Sequence, residues 1–241
     1  MSSYLLDSTL GRSVGRGRKL TRLEAKVITA EYDGGIRYLD QELEDLFSYL
    51  RQIGRFDNTL LIVSADHGDT LGENGHWGHG VDTCQREVHI PLLVKYPRQT
   101  LPKVVTSLVS EVDLLPTVID VVSRDVPTDV DGVSLLRLGD TGDRVILSSS
   151  LRRKGRRPFF ERALFSGDYK LVSTPDAHYR LYNLANDPYQ QNNLYSKNSP
   201  VAGDLTASLE HWLASTSFFI PERVSVSPLD TERLKALGYV Q

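Results

Sequence analysis

From Thr21 onward the chain is organised by changes in the period of its apolar positions. Ile36, Leu39, Leu43, Leu46, Leu50 and Ile53 recur at alternating three- and four-residue steps, which predicts one long helix with a single stripe turned to a core. Thr21 and Glu24 form a Thr-x-x-Glu capping box ahead of it, and Gly54 stands where a C-terminal cap belongs. Gly34 and Gly35 interrupt the helical stretch and predict a kink or a close backbone contact. The period then changes. Thr59–Ala65 and Pro91–Tyr96 are short, nearly continuous apolar runs, the pattern of strands buried on both faces in a parallel sheet. Asp113 is placed to cap a further helix, with Pro116 in its first turn and Val118, Ile119 and Val122 on its buried face. Helix, strand, loop, strand, helix is an α/β order.

After about Gly139 the texture is that of a small antiparallel sheet. Val145–Ser149, Ala163–Ser166, Lys170–Val172 and Tyr179–Leu184 are strand candidates, and Gly167-Asp168 is a tight hairpin turn. Leu205, Leu209, Trp212 and Leu213 predict one more helix, followed by an extended tail over Pro221–Gln241. These boundaries divide the chain into a flexible arginine-rich tail (1–20), an α/β part (21–140) and a C-terminal subdomain (141–241).

Composition narrows the function classes. The 241 residues carry a net charge of -3, which argues against nucleic acid as a partner. No apolar run approaches the ~20 residues that span a bilayer. Met1–Lys19 lacks the apolar stretch of a signal peptide, so the chain as given is cytoplasmic by default, with the compartment otherwise open. Cys84 is the only cysteine, which excludes an intrachain disulfide. The basic run Arg152–Arg157 predicts a solvated loop, with an anionic polysaccharide or lipid contact as the alternative.

The chemistry gathers where the first predicted strand ends. Thr59–Ala65 runs into Asp66-His67-Gly68-Asp69, and ligands of open α/β sheets bind outside the carboxyl ends of strands. Asp66 offers a hard carboxylate and His67 an imidazole, and adjacent ligands on a sharp loop can reach one divalent ion. The following loop, Gly72-Glu73-Asn74-Gly75-His76-Trp77-Gly78-His79-Gly80, adds two histidines able to supply positive charge or a proton near neutral pH. An Asp-His pair at a strand end is also an ordinary capping feature, and two ligands do not complete a site. From spacing alone the reading stops at an incomplete anion or metal site.

Ser64-Ala65-Asp66-His67-Gly68 with Leu71-Gly72-Glu73, then Gly75-His76-Trp77-Gly78-His79-Gly80, resembles the second signature region of the sulfatase family, in the alkaline phosphatase-like superfamily. Tyr32–Ile36, Asp57–Thr59, Ile90–Leu92, Val112–Thr117, Asp131–Leu135, Asp168–Leu171 and Leu181–Leu184 with Asp187-Pro188 extend the resemblance in order. It implies a partial alkaline phosphatase-like α/β sheet with flanking helices before the C-terminal subdomain. It implies a metal-dependent hydrolase of sulfuric esters acting on a small-molecule or carbohydrate sulfate. Asp66 and His67 match the family's second pair of metal ligands. His79 matches a position, held by lysine or histidine, that contacts the sulfate and helps the leaving group depart. Calcium is the first expectation for the ion, with manganese, magnesium and zinc as alternatives. The family's Cys-x-Pro-Ser-Arg string, precursor of its formylglycine nucleophile, has no match here, because Cys84 is followed by Gln85-Arg86-Glu87. The expectation is therefore a C-terminal portion of such an enzyme, doubtful as a stand-alone catalyst, whose missing half a partner chain could supply. Two alternatives stand beside it: phosphodiester or phosphonate hydrolysis or phosphoryl transfer in the same superfamily, and a non-catalytic remnant.

Overall fold

The computed structural model describes residues 19–80, 82–122, 125–138, 144–154, 157–176, 178–196, 199–216, 227 and 230–233. The tail readings for 1–18 and for most of 217–241 lie outside them. The chain divides into two compact units: one drawn from Met1–Tyr49, Thr70–Gly78 and Ala214–Gln241, the other from Leu50–Asp69 and His79–Leu213.

In the first unit the dominant element is α1 (Arg22–Gln52). Its start is the expected capping box: the Thr21 N–H donates to Glu24 Oε2 at 2.8 Å, and the Glu24 N–H to Thr21 Oγ1 at 3.3 Å. The helix is continuous through Gly34 and Gly35, and an added Cβ at Gly34 would meet nothing within 4 Å, so Gly34 marks no close backbone contact. Its C-terminal end is a Schellman motif. Gly54, at φ +66°, donates to the Arg51 carbonyl, and Arg55 donates to that of Leu50. The stripe expected to be core is not: Ile36, Leu39, Leu46 and Ile53 are each about half exposed, and Ile28 is the buried residue of the helix. Periodicity makes a helix amphipathic; it does not supply the surface that covers the stripe.

The same unit holds a small hairpin, β2 (Thr70–Leu71) and β3 (Trp77–Gly78), with Leu71 opposite Trp77. The Thr70 hydroxyl donates to the Gly78 carbonyl at 2.7 Å. Gly72 is held at φ +108°, and a Cβ there would lie 2.7 Å from the Trp77 indole. Trp77 packs on that glycine.

In the second unit β1 (Leu61–Ser64) and β4 (Leu92–Lys95) pair antiparallel, Leu61 opposite Lys95 and Ser64 opposite Leu92. The expectation of parallel, doubly buried strands is corrected. Both strands are half-buried, with Leu93 62% exposed, and among the described residues they pair with each other alone. An apolar run records burial propensity, not strand direction.

After β4 the chain enters a 3-10 turn (Glu111–Asp113) that leads into α3 (Leu114–Val122). The N-cap is Ser110, and Asp113 is its capping-box partner three residues on. Val118 and Val122 are exposed, while Pro116 and Thr117 are buried, so the buried face of α3 lies one step away from the predicted one.

The predicted C-terminal sheet is present as four antiparallel strands in the order β5 (Val145–Lys154), β6 (Arg157–Ser166), β7 (Tyr169–Ser173), β8 (Tyr179–Asn183). Gly167, at φ +52°, begins the two-residue turn between Ser166 and Tyr169. The basic run is strand at Arg152–Lys154 and at Arg157, near the end of the long β5–β6 hairpin, rather than a loop. Strand alternation sorts the sheet's two faces. Leu164, Leu171 and Leu181 pack against Ala202, Leu205 and Leu209 of α4 (Pro200–Ser215). On the other face Ala163, Phe165, Val172 and Tyr182 pack with Val88, Leu108 and Ile146. Each fully buried leucine contributes roughly 1.5–3 kcal/mol. Among the described residues no helix is long and apolar enough to cross a membrane.

Candidate active site

The strand β1 delivers Asp66-His67-Gly68-Asp69 into a tight turn. The His67 N–H donates to Asp66 Oδ1 at 3.0 Å, which leaves Oδ2 facing His67 Nε2 at 3.8 Å. His67 Nδ1 lies 3.0 Å from the Gly68 carbonyl, which can only accept, so Nδ1 is the donor there and Nε2 is the nitrogen turned to Asp66. A carboxylate oxygen and an imidazole nitrogen at this separation fit two corners of one divalent ion's coordination shell.

Short backbone contacts hold the turn. The Gly68 N–H donates to the Glu87 carbonyl at 2.8 Å, beside α2 (Gln85–Val88), and a Cβ on Gly68 would fall 2.0 Å from the Arg86 carbonyl oxygen. Gly68→Ala is therefore expected to push the turn off α2, at a cost of about 1–3 kcal/mol, and to broaden the His67 and His79 resonances. Urea unfolding and histidine-detected NMR check it; a variant as stable as the parent with unshifted histidines sinks it.

Glu87 also closes the second loop. Its carboxylate, 6% exposed, accepts the Gly80 N–H at 2.8 Å, so one residue ties the turn after β1 to the loop carrying His79. The two imidazoles consequently face each other, with ring centroids 4.0 Å apart and planes tilted by 38°. His79 Nδ1 is 2.9 Å from Asp69 Oδ1, and this hydrogen bond pulls the His79 pKa above the ordinary histidine value against the opposing effect of burial. A raised pKa keeps His79 cationic to a higher pH than a free imidazole.

These groups border a cavity of about 840 Å³ within the second unit. Asp66, His67 and His79 line it together with Ser107 to Ser110 and Ser148 to Ser150. The structure thus brings together all three site residues read from the sequence. His76 is exposed and belongs, like Trp77, to the small hairpin. Sequence reasoning assigned no role to Asp69 or Glu87. Asp69 ends the Asp66-His67-Gly68-Asp69 run, two residues past His67, while no local pattern distinguishes Glu87 from a surface carboxylate.

A buried polar clamp anchors α2 from the C-terminal sheet. Glu161 Oε1 accepts the Thr83 N–H (2.9 Å) and hydroxyl (3.0 Å), and Glu161 Oε2 accepts from Arg180 at 2.7 Å. Lys170, fully buried, donates to the Thr83 carbonyl and to Gln190 Oε1, which also accepts the Gln85 N–H. Burial pushes the Lys170 pKa down to about 8, opposed by nearby acidic groups. In the unfolded chain a lysine titrates near 10.4, so between about pH 8 and 10.4 the unfolded state binds the extra proton and stability rises with pH. Lys170→Met removes that term. The stability difference between parent and variant is expected to shift toward the parent by up to about 3 kcal/mol from pH 7.5 to 10, read as urea midpoints, and a pH-independent difference contradicts it. Cys84, beside the clamp, is half-buried, and burial pushes its thiol up to about 11.

The Sulfatase family model matches residues 15–123. An N-acetylglucosamine-6-O-sulfatase of Bacteroides thetaiotaomicron is 25% identical over 197 residues, covering 76% of this chain and 34% of that protein. Arylsulfatase K of Bos taurus is 26% identical over 231 residues, covering 89% of this chain and 41% of that protein. Among solved structures, a phosphonate monoester hydrolase from Silicibacter pomeroyi superposes with a TM-score of 0.66 at 23% identity, covering 81% of this chain and 43% of the other. The chain thus spans less than half the length of each of these three proteins.

Proposed function

Taking residues 15–123 as a sulfatase-family segment of the alkaline phosphatase-like superfamily, we propose that this chain carries part of the active site of a metal-dependent hydrolase of sulfuric esters. The observation that carries the reading is the meeting of Asp66 Oδ2 and His67 Nε2 at 3.8 Å, with the His79 ring 4.0 Å from that of His67 and all three residues lining the cavity. Asp66 and His67 hold the divalent ion, calcium first, with manganese, magnesium or zinc as alternatives. When bound, such an ion stabilises negative charge on the ester's sulfuryl oxygens. His79, kept cationic by Asp69, contacts the sulfate and offers a proton to the departing alkoxide. The cavity accepts the alcohol moiety, a carbohydrate or other small molecule, and its serine-rich walls supply hydrogen-bonding hydroxyls. No Cys-x-Pro-Ser-Arg string occurs in these 241 residues, so the reading assigns them binding and charge stabilisation and leaves nucleophilic attack to a group outside them. Phosphonate-ester hydrolysis is the second reading, favoured by the likeness to the Silicibacter enzyme's fold.

The test is titration calorimetry of calcium and manganese on the full chain. Asp66→Asn and His67→Ala are each expected to weaken binding about 10-fold or more. Affinities unchanged in both variants would overturn the assignment. Competition of the bound ion's signal by inorganic sulfate or by methylphosphonate then separates the two ester classes.

A further inference from the structure

The site contains a second ligand set that overlaps the assigned roles. His67, Asp69 and His79 each offer one ligand atom, and these three atoms lie within 4.8 Å of one another. We propose that His67, Asp69 and His79 form a binding site for a borderline transition-metal ion of the zinc class, sharing only His67 with the Asp66–His67 pair and going beyond the hydrolase reading.

The donor set discriminates between ions. Two imidazole nitrogens and one carboxylate oxygen suit zinc and its neighbours, whereas calcium prefers six to eight oxygens. Three protein ligands with a fourth position left to water is the usual arrangement of an accessible zinc site. Asp69 and His79 are already 2.9 Å apart, close to the about 3.3 Å expected between neighbouring ligands of a tetrahedral zinc ion. The His67 ring is oriented by the Gly68 carbonyl on Nδ1, the outer-shell hydrogen bond that fixes a ligating imidazole and frees its Nε2. Glu87 holds both loops through Gly68 and Gly80, so the three side chains start from a common scaffold instead of being gathered by the ion. The His79 side chain is 53% exposed, which gives an ion a path in, while Asp69 is 16% exposed and poorly hydrated. Asp66, with its side chain 67% exposed, stands on the other flank of His67.

An ion in this place takes the Asp69 oxygen and the His79 Nδ1 that now hydrogen-bond each other, and it shares His67 with the Asp66–His67 pair. Zinc at the His-Asp-His set competes for His67 with an ion on the Asp66–His67 pair and replaces the Asp69–His79 hydrogen bond, so the site acts as a zinc-dependent brake on the chemistry those residues serve.

The experiment uses the full chain with cobalt(II) and zinc(II) alone as probes. One equivalent of cobalt is expected to give visible d–d absorption that zinc abolishes. Asp69→Asn and His79→Gln are each expected to weaken zinc binding at least about 10-fold, while Asp66→Asn leaves it within about twofold. Circular dichroism establishes that each variant is folded. Zinc-induced shifts of the His79 ring nitrogens in the parent chain give the same answer without any substitution. Absence of stoichiometric binding, unmoved His79 resonances, or a loss in Asp66→Asn equal to that in Asp69→Asn overturns the proposal. The last outcome returns the ion to the Asp66–His67 pair, whereas failure of the hydrolase reading shows separately, as calcium and manganese affinities indifferent to Asp66.

Discussion

Asp113→Ala is expected to lower the unfolding free energy of the chain by about 3–5 kcal/mol. Asp113 is fully buried, and its two oxygens hold three separate segments. One accepts the Ser110 N–H at 2.7 Å and closes the cap of the turn before α3. The other accepts the Val133 N–H at 2.8 Å and the guanidinium of Arg144, whose side chain is 16% exposed. Truncation leaves a half-desolvated cation and two amides without their acceptor, each a penalty in its own right. The approach is too close to heal by collapse, since a Cβ on Gly132 would already lie 1.9 Å from the Val112 carbonyl oxygen. Arg144 also leads directly into β5, whose Ser148 to Ser150 line the cavity, so the loss reaches the site. Asp113→Asn keeps one acceptor oxygen and should cost less, and the double variant with Arg144→Ala should cost less than the two single losses together. Urea denaturation measures all four. A loss below about 1 kcal/mol in Asp113→Ala would mean that these bonds merely replace equivalent ones to water.

Glu161→Ala is expected to have a comparable effect on stability, about 3–5 kcal/mol, and a larger one on the site. The carboxylate is 1% exposed, and it receives the Thr83 amide, the Thr83 hydroxyl and Arg180. It also supplies negative charge near buried Lys170, whose ammonium becomes costlier without it. Loss of Glu161 therefore unfastens Thr83, and with it the segment running through Cys84 to Glu87. Amide exchange at Thr83, Gly68 and Gly80 is expected to accelerate together, because the last two depend on Glu87 for their acceptors. Glu161→Gln retains an acceptor oxygen and should preserve slow exchange at Thr83 while losing the charge. Acceleration confined to Thr83 would show that the clamp stabilises the sheet without positioning the histidines.

Local signals carried most of what was legible in the chain. The Thr21–Glu24 box, the Gly54 cap and the Gly167-Asp168 turn depend on hydrogen bonds and φ values within a few residues, and each occurs where its residues stand. Composition marked Asp66 and His67 at a strand end and two histidines in a glycine-rich loop, while the choice of His79 over His76 came from the resemblance to the sulfatase signature. The misreadings share one cause. Strand direction at β1 and β4, the exposed stripe of α1 and the rotated face of α3 all depend on which surface lies opposite, and no window of sequence contains that surface. Glu87 and Glu161 escaped notice for a related reason. A glutamate fixed by an amide 78 residues away, as Glu161 is by Thr83, looks in sequence like any solvated carboxylate.

Cysteine reacts with peroxide and disulfide reagents as the thiolate, which is the attacking nucleophile. With its thiol pushed up to about 11, Cys84 is ionised in only about one molecule in ten thousand at pH 7. As the chain's single cysteine it is also the only sulfur through which two copies could become covalently joined. The molecule should therefore age in air almost as though it contained no cysteine. It should stay monomeric on non-reducing gels without added reductant, and pass between reducing and oxidising surroundings with its covalent structure unchanged.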